Sequence, residues 1–133
     1  ILNNQSDCEQ VLMDVYDIEV GQYQKKLSGD VSLNLLEVLM LIKKYKGVAI
    51  LAHINKDSYS LKKVVTDKHI QFIDGIEVTS TFDETFLNEY PLFKEIPIYR
   101  NSDAHTITNI SRRVNFIELD ELTIESFLKG LRR

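Results

Sequence analysis

The residues best suited to chemistry are His53, which closes the run VAILAH, and the pair Asp103 and His105 in IPIYRNSDAH. Imidazole and carboxylate donors together suit Zn, Mn or Fe and leave a coordination position for a substrate oxygen. Glu77 in GIEV adds another carboxylate, and Arg100, Arg112 and Arg113 add guanidinium groups whose planar fork fits a phosphate. Each residue also has a plainer reading. His53 serves as well as a hydrogen-bonded structural histidine, Asp103 as the cap of the turn after it, and Glu77 as the partner of a lysine. The arginines serve as well as solvated surface. Asp-x-His alone is a weak motif. What favours ligands is the joint placement of His53, Asp103 and His105 in the elements around them. The third histidine, His69 in TDKHIQ, has no such placement and is read as exposed.

Those elements alternate along the chain. Ser6 followed by Glu9 has capping-box spacing and opens an apolar-periodic run to about Tyr16. Residues 17–30 carry no readable pattern. From Ser32, residues Leu35, Leu36, Leu39, Ile42 and Tyr45 recur at helical spacing, with Gly47 as the stop. Further helical stretches are expected near 60–66, over 83–90 up to Pro91, as a short turn near 107–112, and over 123–132. The last of these should bury Ile124, Phe127, Leu128 and Leu131. Strands are expected at 48–53, 75–79, 97–101 and 114–119. Strands alternating with helices predict an α/β fold with a mainly parallel sheet. In such folds ligands gather at the carboxyl ends of the strands. His53 ends the first strand, Glu77 lies near the end of the second, and Asp103 and His105 follow the third.

The bulk composition sets limits on the rest. A chain of 133 residues is one domain's worth, and 44% hydrophobic with 27% charged residues is ordinary for a globular protein. A net charge of −4 gives no support for nucleic-acid binding through a broad basic surface, or for attraction to anionic membranes. The longest apolar stretch is interrupted by Glu37 and is too short to span a bilayer. The lone Cys8 excludes an internal disulfide or a cysteine-rich zinc site and fits a reducing, cytoplasmic compartment.

Three segments in order resemble one family. GVAILAH after an amphipathic helix is similar to the "GG-apolar-AHP" segment of the PHP (polymerase and histidinol phosphatase) metal-dependent phosphoesterases. GIEV resembles the family's next segment, NSDAHTITNISRR its "GSDAH" block, and VNFIELDELTIESFLKGL its last strand and helix. The resemblance covers roughly residues 32–133. It implies a distorted, seven-stranded, TIM-like β/α barrel holding a cluster of Zn, Mn or Fe ions that hydrolyses phosphate esters. It implies that His53, Asp103 and His105 are metal ligands, and that Glu77 orients a ligand or lines the pocket.

The chain departs from this pattern at Ile54, where the family has Pro, and at Asn101, where it has Gly. A larger departure is that no His precedes His53 and no His-x-His occurs, while four readable strands are too few for the barrel. The start at Ile1 adds to the expectation of one partial PHP domain, with 1–31 a helical lead-in and 32–133 the family's C-terminal portion. Such a portion is expected to be catalytically silent, to hold metal weakly or not at all, and to dimerise through exposed sheet edges. The alternative is a non-catalytic binding or regulatory module of a larger polymerase or ATPase-like protein.

Overall fold

The computed structural model describes residues 33–110 and 114–132, together with Ser6, Gln10, Val11 and Asp14. Of the expected first capping box only Ser6 lies among them, and it is helical. The first complete helix, α1 (Leu35–Lys44), starts at a capping box set two residues later than the expected start at Ser32. The Glu37 amide donates to Asn34 Oδ1 at 3.1 Å, and the Asn34 amide donates to Glu37 Oε2 at 2.7 Å. Such a cap contributes about 1 kcal/mol. Lys43 and Lys44 in the last turn complement the helix dipole. At its end the Gly47 amide donates to Ile42 O at 2.8 Å, but the left-handed residue of the stop is Lys46, at φ 52°.

Three short strands follow, β1 (Ile50–Leu51), β2 (Gly75–Val78) and β3 (Ile98–Arg100), all parallel and in the order β1-β2-β3. Ile50 pairs with Gly75, Ile76 with Ile98, and Glu77 with Tyr99. Between and after them lie α2 (Asp67–Ile70), α3 (Thr85–Glu89) and α4 (Ile124–Leu131), with 3-10 turns at Pro91–Phe93 and Ile107–Asn109. The fold is therefore α/β with an open sheet of three strands. Among the described residues, no helix is long and apolar enough to cross a membrane.

Strand periodicity divides the sheet's side chains between two cores. Leu51, Ile76 and Val78 pack with Ile54, Ile73, Phe93 and Ile96 in the larger one. Its aromatic wall is a stack, with the Phe86 ring 4.8 Å from Tyr90 and 6.0 Å from Phe93 between centroids. Ile50, Tyr99 and Ile117 pack on the other side, against Val48, Leu128 and Leu131.

Four expectations are corrected. Residues 114–119 run beside β3 without joining it as a strand. The side chain of Asn115 takes the place of a main-chain partner: its Oδ1 accepts from the Arg100 amide at 2.8 Å, and its Nδ2 donates to Arg100 O at 3.3 Å. A carboxamide has the donor and acceptor of a peptide unit, so it satisfies the edge that a fourth strand would have used. The stretch 60–66 forms turns, and the helix falls after it, at α2.

His69 is buried at 4% exposure, because its Nδ1 accepts from the Thr66 amide at 3.0 Å and closes the start of α2. On α4, Leu128 and Leu131 are buried as expected, but Ile124 and Phe127 are exposed by 62% and 37%. The helix meets the sheet along a narrower stripe, on which the small Ser126 is also buried.

Gly130 explains how α4 and the segment before it approach so closely. A Cβ there would lie 2.7 Å from Ile117 Cγ2 and 2.8 Å from Glu118 O. Alanine inside a helix normally stabilises it by about 0.5–1 kcal/mol over glycine. Here the sign should reverse: Gly130→Ala is expected to destabilise the fold by about 1–3 kcal/mol, as overpacking against main chain does. Urea unfolding of the variant checks this, and a gain in stability would contradict the packing described.

Candidate functional site

The carboxyl end of the sheet is built from two loops. In the first, β1 stops at Leu51 and the chain turns at once, with the Lys56 amide donating to His53 O at 3.3 Å. Ile54 is fully buried and its amide donates to Glu77 O at 3.0 Å, which prolongs the β1–β2 pairing past the end of the strand. Asn55 fastens the same turn to the end of β2, accepting from the Thr79 amide at 3.0 Å and donating to Thr79 Oγ1 at 3.1 Å. His53 is left in a left-handed conformation, at φ 58°. In the second loop the Asn101 amide donates to Val78 O at 3.1 Å, and two residues later Asp103 is also left-handed, at φ 50°. Histidine and aspartate enter this region more readily than most residues, yet it is uncommon for either, and such outliers cluster at functional sites.

Among the described side chains, His53 Nδ1 is a buried atom without a hydrogen-bond partner. A buried nitrogen so placed is available to an ion, a ligand or an ordered water, since buried polar groups are nearly always satisfied. Asp103 is ion-paired through Oδ2 to the Lys56 ammonium, and its Oδ1 lies 3.7 Å from His105 Nε2. The hydrogen bond from Lys56 holds the Asp103 carboxyl below its ordinary range, and the charges of Lys56, His53 and His105 act in the same direction. His105 itself is largely exposed. Among the described residues, no three His, Cys, Asp or Glu side chains close on a point that could hold a metal ion. The donors thus fit a divalent ion in kind and fall short in number.

Glu77 is half-buried, and its Oε1 accepts from Asn101 Nδ2 at 2.9 Å rather than from a lysine. Asn101 Oδ1 in turn accepts from Asn115 Nδ2 at 2.9 Å. These three polar residues close one end of an otherwise apolar groove of about 560 Å³ on the Ile50 and Tyr99 face of the sheet. His53, Asp103 and His105 lie outside its walls. Arg100 is exposed, with its guanidinium carbon 5.0 Å from the centroid of the Phe82 ring. Arg112 and Arg113 lie outside the described residues.

The residue missed by sequence reasoning is Lys56. Its position three residues after His53, inside one turn, was the available signal. Ile54 and Asn101 are both in use: proline at 54 would lack the amide that reaches Glu77, and glycine at 101 would lack the amide side chain that holds it.

Ile54→Pro is accordingly expected to lower stability by about 2 kcal/mol or more, through an unpaired buried carbonyl and lost packing. Thermal unfolding reads this, and an unchanged midpoint would contradict it. The depressed pKa of Asp103 carries a sign as well. A carboxyl held low in the folded state stabilises the fold above its ordinary pKa of 3.8. That contribution is lost as pH falls through the lower folded value. Carboxyl NMR titration should find Asp103 titrating below 3.8, and higher in Lys56→Met than in the unaltered chain.

The chain matches no protein-family model, no curated protein and no solved structure.

Proposed function

We propose that the chain is the closing portion of a metal-dependent phosphoesterase site of the PHP type. The observation that carries this reading is the pair of left-handed residues, His53 and Asp103, placed after β1 and β3 of a parallel sheet, with His53 Nδ1 buried and unpartnered. A buried parallel strand holds a charge in its middle only at a large desolvation penalty, whereas its carboxyl end opens on solvent. His53, Asp103 and His105 would hold the metal, which when bound supplies a Lewis acid that activates water and neutralises phosphoryl oxygens.

The chain's own residues prepare the place. Lys56 keeps Asp103 ionised, and the Glu77–Asn101–Asn115 chain fixes the strand end from which Asp103 emerges. Arg100 remains exposed for a phosphate. A catalytic zinc takes about three protein donors plus water. Because His53, Asp103 and His105 do not close on one point among the described residues, further donors would have to complete the site, and this chain alone would be silent. The substrate is a phosphate ester, of which nucleotides, oligonucleotides and small monoesters are the candidates.

The Lys56–Asp103 pair favours a second reading, a non-catalytic binding module whose Asp103 is permanently neutralised. A longer protein that carries this chain together with a His-x-His strand separates the two. Loaded with Mn or Zn, it is expected to hydrolyse a small phosphate ester. Asp103→Ala or His105→Ala should each lower the rate by about 100-fold or more. Full activity in both variants would refute the site, and a metal-loaded protein without phosphatase activity would favour the module.

A further inference from the structure

Lys56 and Asp103 are 47 residues apart in sequence, and their ion pair joins the loop after β1 to the loop after β3. The same tight turn also carries His53, whose carbonyl accepts the Lys56 amide. One short segment therefore supplies both the histidine with an unpartnered buried nitrogen and the cation seated on the neighbouring carboxylate. Lys56 takes one oxygen of Asp103, while the other lies nearer His105. The Lys56 side chain is 40% exposed and that of Asp103 17%. The pair is part-buried and the ammonium is its more exposed member, so the cation is the partner that solvent reaches and can exchange. A divalent ion brings twice the charge to the same oxygen, and like charges a few ångströms apart exclude one another.

We propose that Lys56 is the resident counter-cation of Asp103 and gates it, so that a divalent metal ion gains the carboxylate only by displacing the ammonium. This rests on the reading of Asp103 as a metal ligand. Lys56 is then a positioning residue: it keeps Asp103 charged and in place before the metal arrives, and its removal trades that preparation for open access. The tether of Lys56 to the His53 turn keeps the displaced ammonium local.

The test is Mn(II) binding to the longer protein that carries this chain together with a His-x-His strand, read from the loss of the free-ion electron paramagnetic resonance signal, with circular dichroism verifying the fold of each variant. Lys56→Met should bind Mn(II) on the order of fivefold more tightly than the unaltered protein. Lys56→Arg, which keeps the charge, should not. Asp103→Asn in the Lys56→Met background should abolish the gain. Lys56→Gln reads the same quantity should the Met variant fail to fold.

If Asp103→Asn weakens Mn(II) binding but the uncharged Lys56 variants bind no tighter, the gate is refuted and Asp103 stands as a ligand. If Asp103→Asn changes nothing in either background, or neither background binds, Asp103 is no ligand and both readings fall.

Discussion

The buried carboxylate of Asp74 sets the geometry on which the sheet depends. Its Oδ2 accepts the Ala49 amide at 2.8 Å and the Lys43 ammonium, while its own amide donates to Ala49 O at 2.9 Å. One residue thus binds the last turn of α1, the entry to β1 and the entry to β2. With the amino ends of both strands fixed, the register Ile50 to Gly75 follows, and with it which side chains face each core. Removing the Lys43 charge would leave the buried Asp74 carboxylate without its counter-ion, at a penalty of several kcal/mol. Gly75, next in line, lets the ring of Tyr99 lie against the strand, since a Cβ there would come within 2.4 Å of Tyr99 Cε2.

The opposite end of the sheet is built on a different principle. There the strands are too short to carry the candidate residues in regular structure. The chain turns through left-handed positions at His53 and Asp103 instead, the first followed by the hydrogen-bonded Ile54 and Asn55, the second two residues after Asn101, whose amide donates to Val78 O. Rigidity at the amino ends, from Asp74, and at Ile54 and Asn55 lets the two strained residues persist.

The alternation of elements was legible because hydrophobic period and punctuation agree there. Strands β1 to β3 fall inside their expected ranges, and α1, α3 and α4 lie within the stretches read as helix. What escaped depends on single side chains doing what main chain usually does. VNFIEL reads as a strand by composition, yet the Asn115 carboxamide occupies the edge of β3. His69 reads as a lone polar residue until its ring is seen closing α2. At the candidate site, residue types and strand ends were visible in the sequence. The Lys56 pairing joins residues far apart in the chain, and the left-handed backbone leaves no signature in a histidine or an aspartate.

Asn115 has one more effect. The sheet has three parallel strands among the described residues, and an open strand edge is a ready template for foreign strands. At Arg100 that edge already has both its amide and its carbonyl engaged by a side chain too short to propagate a ladder. The sheet is therefore terminated rather than merely unfinished there, and an aggregating or amyloid-like neighbour would find no free pair of groups at Arg100 from which to grow.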